Sequence, residues 1–233
     1  GLRPDPSKRV RWVGTPRMSA LTRHLSQGLT IRAGHRVVAI EDDTEGWSIV
    51  TDQGIVAPAF DWVVLTCPGP QAKALVPANS PVHARAAKLR YSPCWAAMME
   101  CEPARIGADG IRLEHPMLSW AARDSSKPGR PPGHRWVIHA NPEWTKSHVD
   151  ESPDAVAREM QRACEAVLGV EAQTVSVHRW LYSLAATGSG EAACVDRAQR
   201  LGLCGDGLVG GRVEHAWSSA MAMADALIGS STA

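Results

Sequence analysis

The strongest constraint on the fold is a strand–turn–helix pattern near the C-terminal end of the chain. Residues 201–204 are predicted to form a short buried strand, and residues 212–228 an amphipathic helix. Between them, Gly205, Gly207 and Gly210 have the G-x-G-x-x-G spacing of a dinucleotide-binding unit. The sequence ends soon after the helix, with no place for a following parallel strand or for the acidic residue that holds a ribose. We therefore expect this unit to close a sheet and not to open one.

The glycine turn is compatible with two interpretations. At the start of the following helix, unpaired N–H groups and the helix dipole favour negative charge. Asp206 would repel a phosphate at close range, but its carboxylate can accept hydrogen bonds from hydroxyl groups. A ligand that carries a polyol beside a ring that becomes anionic fits both features, and reduced flavin with its ribityl chain is such a ligand. An ordinary glycine turn before a packing helix explains the same residues.

A second buried strand indicates a parallel sheet. Residues 61–66 form a nearly continuous apolar run, as in strands buried on both faces. Antiparallel strands are predicted farther along, at residues 94–100, 111–113, 118–123 and 135–139. The expected fold class is therefore α/β, a partial parallel sheet with an antiparallel α+β domain. We assign residues 11–77 and 196–233 to the first part and residues 78–195 to the second.

Three amphipathic helices are expected, over residues 16–28, 153–168 and 212–228. Ser152 and Pro153 provide the cap and first position of the second helix. The predicted apolar faces are Met18, Leu21 and Leu25; then Val156, Met160, Ala163 and Val167; then Val213, Ala216, Ala220, Ala224 and Leu227. Further strands are predicted at residues 30–31, 36–40, 47–51 and 174–180, and a short helix at 71–76.

The composition excludes several classes of function. Hydrophobic residues make up 44% of the 233 residues and the net charge is +1, so the chain has a core but no field that steers nucleic acid or an anionic membrane. No stretch has membrane-spanning length. The six cysteines include no C-x-x-C pair, which favours reduced thiols and a cytoplasmic location. The histidines show no H-E-x-x-H pattern, so we expect no metal site.

Several motifs together resemble one family. Residues 204–214, Cys-Gly-Asp-Gly-Leu-Val-Gly-Gly-Arg-Val-Glu, are similar to the C-terminal FAD signature of the amine-oxidase and renalase-like flavoproteins. Residues 12–18, Trp-Val-Gly-Thr-Pro-Arg-Met, resemble the family's Val-Gly…Met start of a helix. Segments 125–130, 139–144 and 178–182 resemble renalase-like members. The combination indicates the renalase-like branch, with an FAD/NAD(P)-binding flavoprotein fold and an antiparallel substrate domain.

The resemblance implies FAD as cofactor and assigns residues to it. It implies that Gly205 and Asp206 face the ribityl–pyrophosphate part of FAD. It implies that the backbone N–H groups of Gly211, Arg212 and Val213 meet the flavin N1 and O2 edge. It also places Val37 at the adenine, and Thr66, Cys67 and Pro68 near the nucleotide. The implied reaction is hydride transfer from a reduced nicotinamide-type substrate or an amine to FAD, with reoxidation by oxygen to give peroxide.

Substrate contacts are predicted on two segments. His178, Trp180 and Tyr182 alternate along a strand and so point to one face, which could wall the cavity over the flavin as the catalytic face. Packing in the core or at an interface explains them equally well. Lys127 and Arg130 lie on a basic loop that could meet a substrate phosphate or remain solvated.

One part of the family pattern has no counterpart in this sequence. The N-terminal strand–G-x-G-x-x-G–helix unit of these flavoproteins is not found before Arg11. We therefore expect a fragment, one half of a split protein or a chain that no longer binds FAD. The partner would be a missing N-terminal half, or a second copy that completes the open sheet edge as a homodimer. The alternative function is a truncated, non-catalytic binding module.

Overall fold

The computed structural model describes residues 2–4, 12–43, 45–103, 107–186, 188 and 190–229. The strands are β1 (Leu2–Pro4), β2 (Val37–Asp43), β3 (Gly46–Thr51), β4 (Gly54–Phe60), β5 (Val63–Leu65), β6 (Tyr91–Cys101), β7 (Gly110–Leu113), β8 (Leu118–Arg123), β9 (Arg135–Ala140), β10 (Ala172–Ala185), β11 (Ala193–Asp196) and β12 (Leu201–Cys204). The helices are α1 (Ser19–Leu25), α2 (Gly69–Leu75), α3 (Pro81–Ala86), α4 (Pro142–Ser147), α5 (Pro153–Leu168), α6 (Asp206–Val209) and α7 (Val213–Ile228).

The chain divides into two compact units, each built from two segments. The first unit comprises Gly1–Ile31 and Pro93–Leu181, and the second Arg32–Ser92 and Tyr182–Ala233. The boundaries thus lie at residues 31, 92 and 181, whereas the sequence places them at 77 and 195. Of the predicted parts, residues 11, 44, 104–106, 187, 189 and 230–233 lie outside the described residues.

The first unit is an antiparallel sheet covered by a helix. Its strand order is β1-β7-β8-β9-β6-β10, and the pairs β1–β7, β7–β8, β8–β9 and β9–β6 are antiparallel. One sheet face packs on α5, in a core that includes Trp95, Met99, Ile138 and Met160. The α5 helix begins as predicted, because the Ser152 hydroxyl accepts the Ala155 N–H at 3.3 Å.

The second unit contains the parallel strands. In the sheet β11-β12-β5, β12 and β5 run parallel, with Leu201 beside Val63 and Leu203 beside Leu65. The meander β2-β3-β4 belongs to the same unit, and the Trp47 indole donates to the Gln199 carbonyl at 2.8 Å. The predicted parallel pairing of an α/β fold is therefore confirmed.

Some predicted elements differ in extent or exposure. Residues 30–31 form no strand, and α1 is shorter than expected, with its predicted apolar face exposed. The buried side chains of α7 are Ser219 and Met223, while Val213 of the predicted face is exposed. On α5, Val156 and Met160 are buried as predicted. The other buried residues of this helix are Cys164 and Leu168, whereas the predicted Ala163 and Val167 are only partly buried. No helix among the described residues has the length and apolarity needed to cross a membrane.

Candidate functional site

The carboxyl ends of the two parallel strands meet at the glycine turn. Thr66 follows β5 and Gly205 follows β12, and a Cβ built on Gly205 would lie 3.5 Å from the Thr66 carbonyl oxygen. In parallel sheets this end of the strands is where ligands bind. A cavity of about 10 Å³, room for about one water molecule, opens between the two turns. It is lined by Thr66, Cys67, Leu89, Tyr91 and residues 203–208.

The predicted turn contains a short helix. Residues 206–209 form α6, and Gly210 and Gly211 then reverse the chain before α7, with φ of 147° and 63°. These φ values favour glycine because L side chains rarely adopt them. The backbone conformation therefore explains the glycines at positions 210 and 211, and a close side-chain contact explains the glycine at position 207.

Most N–H groups of this turn have partners inside the protein. The Gly205 N–H donates to the Ser219 hydroxyl at 2.8 Å, and the N–H groups of Gly210 and Gly211 donate to the Asp206 carbonyl at 2.7 and 3.3 Å. Of the N–H groups predicted to meet the flavin ring edge, that of Gly211 is thus engaged internally, and the N–H of Gly205 is engaged as well. Arg212, the N-cap residue of α7, makes no side-chain hydrogen bond, so within the described residues no cap satisfies the first N–H groups of α7.

The Asp206 carboxylate borders the cavity and is half-buried. In the part of the chain that the structure describes, it has no hydrogen-bond or ion-pair partner, and Arg212 is paired with Glu214 at 3.6 Å on the surface. An acceptor without a donor, at the carboxyl end of a parallel strand, can receive hydroxyl groups of a ligand.

Val37 lies where its backbone can pair with a ligand. The Asp52 N–H donates to the Arg36 carbonyl at 3.0 Å, which makes these two a hydrogen-bonded pair of the antiparallel β2–β3 ladder. The next pair is Val37 with Thr51, so the N–H and C=O of Val37 point away from β3. Since β2 is an edge strand, these groups face the open side of the meander.

Two thiols line the same cavity, those of Cys67 and Cys204. Burial raises the pKa of both thiols. Both therefore stay protonated near neutral pH and are poor nucleophiles. None of the six cysteines forms a disulfide.

The predicted catalytic side chains all lie on β10. In the first unit, the His178 and Trp180 rings meet edge to face with centroids 4.4 Å apart, and the Trp180 side chain is 54% exposed. In the second unit, Tyr182 packs edge to face on Tyr91, at 5.6 Å between centroids. Tyr182 thus contacts a residue that lines the cavity, while the catalytic role of the three side chains stays a prediction.

The basic loop is used inside the first unit. Asp124 pairs with Lys127 at 2.8 Å and with the Arg130 Nε at 3.6 Å. The Arg130 side chain is only 8% exposed and also donates to the carbonyls of Gly14 and Pro16. The hypothesis that Lys127 and Arg130 meet a substrate phosphate is therefore wrong for Arg130 and leaves Lys127 already paired.

Two residues at the site were missed by the sequence reasoning. Tyr91 contacts Gly69 and Gly207, which are far from it in sequence, and no local pattern announces this. Ser219 lies among the alanines of α7, and its polar side chain on a buried face was the available signal. Within the described residues, no group of three or more His, Cys, Asp or Glu side chains could hold a metal ion.

These donors and acceptors fit three parts of a flavin nucleotide. An unpartnered carboxylate suits a polyol, an uncapped helix start suits a ring edge that gains negative charge, and the outward backbone of Val37 suits an adenine. Gly207 allows the backbone to approach closely, because a Cβ there would collide with Tyr91.

Comparison with known proteins gives the family. The crystal structure of a candidate protoporphyrinogen oxidase from Exiguobacterium sp. 255-15 superposes with a TM-score of 0.68 at 21% sequence identity, covering 90% of this chain and 50% of that one. The likeness extends to the fold, and this chain spans about half the length of that structure. A model of the flavin-containing amine oxidoreductases matches residues 7–228. The chain therefore belongs to the flavin-containing amine oxidoreductase family.

Proposed function

We propose that this chain supplies the flavin-binding turn and the substrate sheet of a renalase-like FAD-dependent oxidoreductase. The substrate is a reduced nicotinamide-type compound or an amine. When bound, FAD supplies an acceptor for a hydride, with dioxygen as the terminal oxidant that becomes hydrogen peroxide. The family membership supports the flavin chemistry, and the choice of substrate rests on the sequence resemblance to the renalase-like branch.

The observation that carries the proposal is the position of Asp206. Its carboxylate lies half-buried at the carboxyl end of β12, beside the parallel β5, and it has no partner among the described residues. A carboxylate that has no protein donor at such a place is free to accept the hydroxyl groups of a ligand. The uncapped N–H groups at the start of α7, the helix that follows the glycine turn, add positive potential there.

The residues that would hold FAD are those at the two turns and the meander edge. Asp206 would accept from the ribityl hydroxyls, and the N–H groups of Arg212 and Val213 would meet the ring edge. Thr66, which lines the cavity, and Pro68, which caps α2, would border the nucleotide, and the outward N–H and C=O of Val37 would pair with the adenine. In this proposal, Gly205 and Gly211 shape the backbone and do not donate their own N–H groups.

The substrate is assigned to the aromatic side chains of β10. His178 and Trp180 form an edge-to-face pair on the edge strand of the six-stranded sheet, with much of the indole exposed. An exposed aromatic pair can flank a flat ring such as a nicotinamide. These side chains would bind the substrate ring, and hydride transfer to a flavin requires no acid or base from them.

A further polypeptide strand is part of the proposal. Among the described residues no strand pairs with the outer edge of β5 in the sheet β11-β12-β5, and the chain spans about half of the solved structure that it matches. We propose that a second copy, or a partner chain with the N-terminal Gly-rich unit, completes this parallel sheet. Parallel strands are seldom left with an open edge and partly exposed faces.

The test is flavin retention by the purified chain. FAD is added, the excess is removed, and the visible spectrum is recorded for the wild type, Asp206→Ala and Asp154→Ala. Asp154 is an exposed acid in the first turn of α5 and serves as the matched control. We expect a resolved flavin spectrum for the wild type and the control, and about tenfold weaker affinity for Asp206→Ala. Unchanged affinity of Asp206→Ala removes it from the site, and a colourless wild type favours the alternative, a non-catalytic binding module.

A further inference from the structure

Tyr91 connects the two turns that border the cavity. Its hydroxyl oxygen accepts the Gly69 N–H at 3.2 Å, directly after the turn that follows β5. The same oxygen lies 2.1 Å from the position that a Cβ of Gly207 would occupy, and the ring carbon Cζ lies 3.0 Å from it. One side chain therefore touches the backbone at the ends of both parallel strands.

We infer that Tyr91 is a positioning residue for the cofactor site. Its ring and hydroxyl fix the spacing between the Cys67–Gly69 turn and the Gly205–Leu208 turn. This inference rests on the proposed function, because the ligand whose binding depends on that spacing is the flavin nucleotide.

The surroundings of Tyr91 hold its ring in one place. Tyr182 packs edge to face on the ring at 5.6 Å, and Tyr91 also packs against the buried cluster that includes Leu89. Burial, and to a smaller degree the charge of Asp206, raises the pKa of the Tyr91 hydroxyl, which stays protonated at neutral pH. A neutral, half-buried phenol is well suited to act as a fixed spacer beside the unpartnered carboxylate.

The contact also accounts for the glycine at position 207. A side chain there would be driven into the Tyr91 hydroxyl, so any larger residue must displace either the ring or the turn. Removing the hydroxyl removes the closest of these contacts and leaves only the ring carbon, which a small shift relieves. Tyr91→Phe should therefore rescue Gly207→Ala, and this coupling is specific to the geometry.

The experiment is a double-variant cycle read by flavin titration on the full chain. It compares the wild type, Tyr91→Phe, Gly207→Ala and the double variant, with Gly107→Ala as control, because a Cβ added at Gly107 would meet nothing within 4 Å. In titrations run well below the thermal midpoint, we expect Tyr91→Phe to weaken FAD binding about tenfold; the midpoint itself falls because the buried Gly69 N–H loses its acceptor. Gly207→Ala should weaken FAD binding about a hundredfold, and the double variant should return to the level of Tyr91→Phe.

Two outcomes overturn the inference. One is wild-type affinity in Tyr91→Phe, and the other is an additive loss in the double variant. If the wild type binds no flavin, the proposed function fails, and the same cycle is read from the thermal midpoints. Rescue of Gly207→Ala by Tyr91→Phe then still supports the positioning contact, and additive destabilisation refutes it.

Discussion

The backbone N–H of Gly205 donates to the hydroxyl of Ser219 at 2.8 Å, and this hydroxyl donates in turn to the carbonyl of Ala192. The glycine turn is thus tied to the middle of α7 by a buried serine. We predict that Ser219→Ala destabilises the chain by about 1–3 kcal/mol, because two backbone groups lose their partner. Urea unfolding measures this difference.

The control for Ser219 is its neighbour. Ser218 is exposed, and its hydroxyl donates only to the Glu214 carbonyl of its own helix, at 3.0 Å. Ser218→Ala should leave the unfolding midpoint within about 0.5 kcal/mol of the wild type. Equal midpoints for the two variants would show that Ser219 does not hold the turn.

Asp124 makes the stability of the first unit depend on acid pH. Burial raises the pKa of Asp124, but the hydrogen bond from Lys127 and the charges of Lys127 and Arg130 outweigh it and hold the pKa below its ordinary value of 3.8. A lowered folded-state pKa contributes stability above the ordinary value, and the contribution is lost as the pH falls through the lowered pKa. Asp124→Asn should therefore cost on the order of 1 kcal/mol near neutral pH and almost nothing at about pH 2.

The measurement for Asp124 is a pair of unfolding curves at several pH values. Asp150→Asn is a suitable control, because its carboxylate is almost fully exposed and lies 4.0 Å from Arg179. If the difference in free energy of unfolding between Asp124→Asn and the wild type stays constant from neutral to acid pH, the ion pairs of Asp124 do not stabilise the first unit.

The local signals in the sequence predicted much of the fold. A capped helix such as α5 is visible in Ser152 and Pro153, and the parallel strands are visible in their apolar runs. The same signal precedes α3 and α4, with Ser80 before Pro81 and Asn141 before Pro142, although neither helix was predicted. These helices are short, so periodicity is weak in both.

The remaining errors come from contacts between distant segments. Periodicity places alanines of α7 on its buried face, whereas the hydrogen bond to Gly205 turns Ser219 inward. The glycine turn was found because its signal is local. Tyr91 was missed because Gly207 lies far from it along the chain and meets it only through the fold. A substrate phosphate was predicted for Arg130 from its charge alone. In the structure, Arg130 pairs with Asp124 and donates to two backbone carbonyls.

The buried face of α5 is expected to dominate the stability of the first unit. Met160 is fully buried in the core under the six-stranded sheet. Met160→Ala should lower the free energy of unfolding by about 2–5 kcal/mol, from lost apolar burial and the cavity that remains. Arg158→Ala on the exposed side of the same helix should change it by less than about 0.5 kcal/mol. Chemical denaturation followed by circular dichroism distinguishes the two, and a small loss for Met160 would mean that the core closes around it.

The open edge of β5 predicts self-association or a partner strand. The Val63 N–H donates to the Arg200 carbonyl at 3.2 Å, so in a parallel pair the N–H and C=O of Val64 point to the open side. We expect a dimer in light scattering that Val64→Pro converts to a monomer, because proline removes the outward donor. Val63→Pro is the matched variant and should instead unfold the β5–β12 pair. A wild type that is strictly monomeric would contradict pairing with a second copy.

The exposed indole of Trp180 is predicted to act on the substrate and not on the fold. Its side chain is 54% exposed, so Trp180→Ala should leave the unfolding midpoint nearly unchanged. In an assembly that oxidises a reduced nicotinamide-type substrate, we expect KM to rise about tenfold with kcat little altered, since a flanking ring contributes to binding in the ground state and the transition state alike. Trp217→Ala is the matched control, as its indole is 55% exposed on α7. Equal KM values for the two variants would mean that the substrate does not contact Trp180. A lower kcat for Trp180→Ala at unchanged KM would mean that the ring aligns the hydride and does not hold the substrate.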